Sequence, residues 1–287
     1  MNSHPFDALA CPLDGAPLTQ EQGAWRCASG HSFDIARHGY VNLLPVQRKR
    51  SSDPGDSKAM VAARQRFLNA GYYQPIAEAV SAAVLEDSAE HTPLACLDAG
   101  CGEGYYLRQL AAMAGPAPLE LLGLDISKWA VQAAARQGIA GQKGLPGAAW
   151  VVGSNANLPV QARSLDRLLC MFGFPVVEEF TRVLKPGGIW LQVEAGPNHL
   201  RELREIIYPT LKPERVNDAP VPAGFTQSAT QTLRYTLALQ GNAAIADLLA
   251  MTPHLYRATA EGRARAATLE TLSVTIEVKL SKWVRNV

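Results

Sequence analysis

LDAGCGEG, at residues 97–104, ends a run of apolar residues and opens a stretch with helical periodicity. Its glycines, Gly100, Gly102 and Gly104, alternate with other residues and let a ligand approach the backbone closely. Tyr105 stands where a dinucleotide-binding fingerprint has its third glycine, so a pyrophosphate ligand is disfavoured. The pattern predicts a strand, a turn and a helix that bind a nucleotide-like ligand. A glycine-rich turn without a ligand is the alternative for this loop alone.

Two acidic residues specify the kind of ligand. Asp125 ends the next apolar run, LLGLD, where a carboxylate can accept hydrogen bonds from the ribose hydroxyls of an adenosine. Asp98, at the head of the loop, would repel a phosphate and attract the positive amino-acid end of a ligand. S-adenosylmethionine has such an end and carries no phosphate, so the sequence predicts this cofactor.

Apolar runs alternate with helical stretches from residue 94 to residue 195. This alternation predicts right-handed crossovers and a mostly parallel sheet that is covered on both faces. A helix is expected over EEFTRVLKPGG, and the tail adds a strand, a helix and a further strand that would give the sheet an antiparallel edge. The predicted fold class is α/β, with a Rossmann-like sheet.

Composition indicates an ordinary folded protein, because 47% of residues are hydrophobic, 18% are charged and the net charge is +1. A disordered or fibrous chain is therefore excluded. The sequence lacks an export signal and a run of about 18 uncharged apolar residues, so we expect a cytoplasmic protein without membrane contact. The five cysteines are then expected to be reduced thiols or metal ligands.

Charge is unevenly distributed along the chain. Residues 37–66 are mainly basic, whereas residues 67–125 are mainly acidic. A basic segment beside an acidic one fits a phosphate-facing surface next to a pocket for a cation. A solvated loop and helix face is the alternative that charge alone leaves open.

Further segments carry a specific resemblance. Asn155 in GSNANLP, followed by LKPGG, resembles the Rossmann-like class I methyltransferases. HGYVNLLP, DPGDS, GPNHLREL and LLAMTPHLYRA extend the resemblance, over nearly the whole chain, to the family that methylates N1 of a guanine in a hairpin of 23S ribosomal RNA. HGYVNLLP and DPGDS are not general methyltransferase motifs, which makes the resemblance specific. It implies an S-adenosylmethionine-dependent transferase that binds this hairpin as a homodimer.

The resemblance also implies cofactor contacts. Gly102 and Glu103 would contact the cofactor in the loop, Tyr73 would close over it from an N-terminal helix, and His199 would reach it from beyond the fifth strand. Taken without the resemblance, Tyr73 could be a core aromatic and His199 a helix-capping histidine. The predicted cofactor-binding residues are Tyr73, Asp98, Gly100, Gly102, Glu103, Gly104, Asp125, Asn155 and His199.

The N-terminal module resembles the zinc ribbon of the same family. The matching ligand positions are Cys11, Asp14, Cys27 and His31. A carboxylate thus replaces one thiolate, and since structural zinc sites mostly use sulfur and nitrogen, bound zinc and a degenerate site are both open. Without metal, Trp25, Phe33 and packing on the main domain would have to hold the module. We expect a zinc-ribbon-like module at 1–45, a basic linker and helix at 46–75, and the cofactor-binding domain at 76–287.

Phe172, Phe174 and Pro175 follow the fourth strand, where related enzymes place acceptor-facing residues. Aromatic rings there could stack on a purine or be core residues. N1 of guanine lies on the pairing edge, so the base must be unpaired or swung out of its stack. We expect the basic segment from Arg48 to Arg66 to hold the RNA backbone. The sequence does not assign a general base.

Rival interpretations remain at this stage. The same fold hosts small-molecule methyltransferases, but the Cys/His module and the basic segment argue against that class. A non-catalytic, cofactor-binding ribosome-assembly factor is disfavoured by the intact glycine loop. A sibling enzyme that modifies a neighbouring guanine and confers macrolide-type resistance is not excluded by the sequence.

Overall fold

The computed structural model describes residues 6–45, 51, 53–88, 92–115, 117–138, 147–211 and 220–287. Its strands are β1 (Thr19–Glu21), β2 (Ala24–Arg26), β3 (Ser32–Asp34), β4 (Tyr40–Asn42), β5 (Leu94–Ala99), β6 (Leu119–Asp125), β7 (Ala148–Val152), β8 (Leu165–Met171), β9 (Leu184–Ala195), β10 (Phe225–Gln240) and β11 (Thr271–Arg285). Its helices are α1 (Lys58–Asn69), α2 (Gln74–Leu85), α3 (Tyr105–Ala114), α4 (Lys128–Gln137), α5 (Val177–Val183), α6 (Arg201–Ile207), α7 (Asn242–Ala250), α8 (His254–Arg257) and α9 (Ala260–Ala267). The basic triplet Arg48, Lys49 and Arg50 lies outside the described residues.

Eight strands form the large sheet, in the order β10-β11-β9-β8-β5-β6-β7-β4. From β9 to β4 neighbouring strands are parallel, and β11 pairs antiparallel with both β9 and β10. The predicted parallel sheet with an antiparallel edge is therefore confirmed. Because β5 pairs with β6 on one side and β8 on the other, the chain order reverses at β5. Ligands of open α/β sheets bind at the carboxyl ends of strands where the order reverses.

Helices cover one face of the sheet. Every residue of β5 is buried, as expected for a parallel strand that is covered on both faces. Phe67 of α1, Leu107 of α3 and Leu203 of α6 pack in the cluster that covers the first face. No helix within the described ranges combines the length and the apolar character needed to cross a membrane.

The N-terminal module covers part of the opposite face. Leu9 and Trp25 are buried there, and Phe33 packs against the same cluster, so the module packs on the main domain. Leu9 also bridges to Val160 in the connection between β7 and β8. Residues 153–164 of that connection hold no helix, and the module lies where a crossover helix would otherwise cover the sheet. The module's last strand, β4, pairs with β7 and is the end strand of the large sheet.

The prediction that LKPGG ends a helix is wrong. Helix α5 ends at Val183, and LKPGG forms the start of β9. Pro186 excludes a continuing helix and keeps Lys185 extended. Gly187 then adopts a φ of 76°, so the strand is irregular here, and its register with β8 shifts between Leu184 and Ile189.

Candidate active site and metal site

The glycine loop joins β5 to α3 at the crevice of the sheet. Gly100, Gly102 and Gly104 have φ angles of 104°, 54° and 82°, which lie in the left-handed region that favours glycine. At Gly104 an added Cβ would lie 2.6 Å from the Trp150 ring, so a larger residue does not fit there. The turn leaves the first backbone N–H groups of α3 at the crevice.

Asp125 ties the glycine loop to the end of β6. The backbone N–H of Gly102 donates to its Oδ2 at 2.9 Å, and that of Ser127 donates to its Oδ1 at 2.8 Å. A carboxylate has about four acceptor positions, so Asp125 can still accept hydrogen bonds from a ligand. The structure thus brings together the loop and the acid that the sequence assigned to one site.

Asp98 is fully buried beneath the loop. Neither carboxylate oxygen has a hydrogen-bond partner among the described residues. Burial, and then the nearby charge of Asp125, raise the pKa of Asp98 to about 8. A buried carboxylate without partners is costly for the fold, and a cationic ligand would remove that cost. A buried carboxyl group without a partner is thus suited to a ligand with a positive end.

Asn155 lies beside the same crevice, on the turn after β7. Its Nδ2 donates to the Ala99 carbonyl at 3.3 Å, which fixes the amide. Its Oδ1 is buried and has no partner within the described ranges. The amide oxygen is therefore free to accept a hydrogen bond from a ligand.

Tyr73 and His199, 126 positions apart, meet in the core beside the crevice. The Tyr73 hydroxyl lies 3.3 Å from His199 Nε2, and the Glu277 N–H donates to His199 Nδ1 at 3.3 Å. Burial, and then the nearby His254, lower the pKa of His199 to about 4. The ring is therefore neutral, with its hydrogen on Nε2, and it donates to the Tyr73 oxygen. His199 does not cap a helix, because α6 begins after Leu200 without a side-chain cap.

Glu103 has a buried side chain on the far side of the loop. Its Oε2 accepts from Arg108 at 2.8 Å, and Gln137 donates to the same oxygen. Its Oε1 has no partner in the described part of the chain. The carboxylate therefore holds α3 and α4 together as well as carrying one free acceptor.

Arg64 was missed as a site residue. It forms an ion pair with Asp56 and donates to the Met251 carbonyl at 3.1 Å. It lies against the glycine loop, since a Cβ on Gly102 would be 3.4 Å from Arg64 Nη1. Position in a basic stretch was its only sequence signal, and that signal was interpreted as an RNA contact.

The expected RNA contact of the segment from Arg48 to Arg66 stays a prediction, and the carboxyl end of this segment also forms ion pairs within the chain. Arg66 donates through Nε to Asp247 at 2.9 Å and pairs with the same carboxylate through Nη2. Both guanidinium groups are thus paired within the chain: Arg64 is mostly buried beside Asp56, which is nearby in sequence, whereas Arg66 stays 62% exposed beside the distant Asp247.

The four predicted metal ligands converge in the N-terminal module. Their ligand atoms lie within 4.8 Å of one another: Cys11, Asp14, Cys27 and His31. His31 Nδ1 lies 3.4 Å from Cys11 Sγ, 3.3 Å from Cys27 Sγ and 3.2 Å from Asp14 Oδ2. Donors around one tetrahedral zinc ion lie roughly 3.3 to 3.8 Å apart. The residues therefore fit zinc.

Asp14 is oriented as a single-oxygen ligand. Its Oδ1 accepts the Ala16 N–H at 3.0 Å, while its Oδ2 lies 3.6 Å from Cys27 Sγ and faces the cluster. The hydrogen bond from Ala16 lowers the pKa of Asp14 well below its ordinary value. The carboxylate is thus ionised, as a zinc ligand must be.

Comparisons with known proteins match both parts of the chain. Residues 9–52 match the family described as "RlmA, N-terminal", and residues 96–188 match a methyltransferase domain. The "Putative 23S rRNA (guanine-N(1)-)-methyltransferase" of Micromonospora griseorubida is 35% identical, with 96% of each chain covered. The Bacillus subtilis protein whose name gives the same activity is 30% identical over 96% of each chain. The "23S rRNA (guanine(748)-N(1))-methyltransferase" of Streptomyces fradiae is 36% identical over 68% of this chain and 66% of its own. The chain therefore belongs to the family of 23S rRNA (guanine-N1)-methyltransferases.

Proposed function

We propose that this protein methylates N1 of a guanine in a hairpin of 23S ribosomal RNA, with S-adenosylmethionine as methyl donor. The observation that carries the proposal is the buried Asp98 carboxylate, which has no partner among the described residues and lies beneath a glycine loop. Relatives named for this reaction align with 96% of the chain.

The proposed cofactor contacts divide by chemistry. The ionised Asp98 would hold the ammonium group, and Asp125 would accept from the ribose hydroxyls. Asn155 Oδ1 would accept from the adenine amino group. The remaining proposed contacts are the loop residues Gly100, Gly102, Glu103 and Gly104, and the pair Tyr73 and His199.

S-adenosylmethionine supplies, when bound, a sulfonium methyl group for an aligned acceptor. Since the transfer depends mainly on alignment, the chain's part is to position the two reactants. His199 holds the Tyr73 hydroxyl oxygen, so the hydroxyl hydrogen can point into the site. A neutral His199 also avoids placing a second positive charge next to a sulfonium.

We also propose that Cys11, Asp14, Cys27 and His31 bind one zinc ion. Its role would be structural, because four protein ligands close the coordination shell. The support is the convergence of the four donors within 4.8 Å of one another, with His31 Nδ1 3.2 to 3.4 Å from the other three.

Several finer properties belong to the same proposal. The module at 1–45 and the linker and helix at 46–75 would bind the RNA, while the domain at 76–287 would bind the cofactor. We propose a cytoplasmic homodimer, in keeping with a ribosomal substrate. The 16-residue strand β10 lies at one end of the sheet, and a long edge of this kind favours pairing with another chain.

The test is methyl transfer to ribosomal RNA from cells that lack the gene, with labelled S-adenosylmethionine. We expect label in 23S RNA and a primer-extension arrest at one guanine of the hairpin. The position of the arrest distinguishes this guanine from the neighbouring one used by sibling enzymes. Transfer to lipid extracts instead of RNA would contradict the proposal and indicate a small-molecule acceptor.

A further inference from the structure

Two phenylalanines flank Gly173 on the loop that follows β8. Phe174 is 90% exposed and Phe172 is 39% exposed, so neither is the core residue that phenylalanine usually is. Pro175 follows Phe174 and restricts its backbone to extended conformations. The chain therefore holds an aromatic ring out in water at a defined place.

Hydrogen bonds to strand β9 fix the conformation of this loop. The backbone N–H of Phe172 donates to the Val193 carbonyl at 2.9 Å, and Gln192 Nε2 donates to the Gly173 carbonyl at 3.3 Å. Gln192 is itself held by the indole N–H of Trp190 at 3.2 Å. These contacts keep Phe172 at a φ of 54°, a conformation that is strained for phenylalanine. Strain of this kind persists where the surroundings fix the backbone, and it clusters at binding sites.

The loop is continuous with the cofactor site. The Phe172 ring centroid lies 6.2 Å from that of Tyr73 and 5.9 Å from that of His199. Phe172 therefore forms a wall between the proposed cofactor contacts and solvent. Phe174 follows two residues later on the same loop and is exposed to solvent.

We propose that Phe172 and Phe174 form the surface on which the target guanine stacks, with Phe174 as the main acceptor-binding residue. This inference rests on the proposed function. A guanine that leaves its stack loses contact with its neighbours, and a fixed aromatic ring at the mouth of the site restores a stacking partner. Such a ring would hold the base beside the methyl donor without any hydrogen bond to it.

The experiment compares Phe174→Leu with Phe174→Trp. Leucine keeps the apolar area but removes the ring, whereas tryptophan keeps a stacking surface. Met113→Ala is the matched control, because Met113 is 51% exposed on α3. Single-turnover methylation of ribosomal RNA and the Kd for S-adenosylhomocysteine are measured for each protein.

We expect Phe174→Leu to lower the single-turnover rate about tenfold or more, because the loss of one base–aromatic stacking contact weakens nucleic-acid binding by about that factor. Phe174→Trp should retain at least a third of the rate, and Met113→Ala should match the unmodified protein. The Kd for S-adenosylhomocysteine should stay within twofold throughout, which shows that the fold and the cofactor site are intact.

Equal rates for Phe174→Leu and the unmodified protein would overturn the stacking role and leave the proposed function standing. A change of oligomeric state in Phe174→Leu would assign the ring to a contact between copies and would also overturn it. If the unmodified protein transfers no methyl group to RNA, the proposed function fails and this inference fails with it.

Discussion

Asp98 lies fully buried beside Asp125, and burial together with the charge of that neighbour raises the pKa of Asp98 to about 8. At pH 7 the ligand-free protein therefore carries mainly a protonated Asp98. Binding of an ammonium group requires the ionised form. Cofactor binding should thus be coupled to release of a proton.

The first prediction concerns cofactor affinity and pH. Affinity for S-adenosylhomocysteine should increase as pH rises from 6.5 to 8 and level off above the pKa of Asp98. Calorimetry in buffers of different ionisation enthalpy should show proton release at pH 7. Asp98→Asn is the control, because it retains the titration of the ligand alone. The same pH slope in both proteins would contradict the assignment of Asp98.

The second prediction concerns stability without ligand. The pKa of Asp98 is raised from an ordinary value of 3.8 to about 8, so the folded protein binds more protons than the unfolded chain between these pH values. The contribution of Asp98 to stability therefore falls as pH rises through this window. Asp98→Asn should raise the Tm at pH 8 more than at pH 5, as measured by calorimetric scans. An equal change at both pH values would rule out this account.

The third prediction concerns the hydroxyl of Tyr73. Tyr73→Phe leaves the buried Nε2–H of His199 without its partner, which should lower the free energy of unfolding by about 1 to 3 kcal/mol. Affinity for S-adenosylhomocysteine should fall about twofold to tenfold. Tyr235→Phe, which loses a hydrogen bond to the Tyr72 carbonyl, should leave affinity unchanged. A similar loss in both variants would mean that the effect is not local.

The fourth prediction concerns the metal site. Purified protein should contain one zinc per chain, as measured by elemental analysis. Asp14→Cys should slow zinc loss to a chelator about tenfold or more, because thiolate is the commoner ligand in structural sites. Asp34→Cys adds a thiol outside the cluster and should not change the rate. If the unmodified protein contains no zinc and Asp14→Cys gains none, the site does not bind the metal.

The fifth prediction concerns the turn at Gly104. Gly104→Ala combines a left-handed φ with contact against the Trp150 ring, whereas Gly71, just after α1, has a similar φ and open space around it. Gly71→Ala should lower the free energy of unfolding by about 1 to 2 kcal/mol through strain alone. Gly104→Ala should lower it further and abolish cofactor binding. If chemical denaturation shows the same loss of unfolding free energy in both variants, the Trp150 ring moves aside without a cost in stability.

The local signals in the sequence predicted the sheet well. The glycine loop, Asp125 and the alternation of strands and helices each depend on neighbouring residues, and the structure has them as expected. The prediction that LKPGG ends a helix was wrong, because Pro186 makes α5 end earlier than the apolar pattern indicated. The pairing of β4 with β7 could not be predicted, since it joins residues 40–42 to residues 150–152 and leaves no local pattern.

Long-range partners limited the prediction of the site. The charges of Arg64 and Arg66 indicated a surface for phosphate, and the ion pairs that they form with Asp56 and Asp247 were not predicted. Asp247 lies 181 positions from Arg66, beyond any periodicity. Tyr73 and His199 were assigned only through the family resemblance. Nothing in the sequence predicted the strained φ of Phe172.

The end strand β4 has a consequence for how this protein can be divided. A truncation that starts after residue 45 would strip one strand from the sheet and leave Leu97 and Leu122, which pack in the same cluster as the module, facing water. The amino-terminal module is therefore not an independent domain that could be exchanged between enzymes. It must fold together with the sheet that it completes.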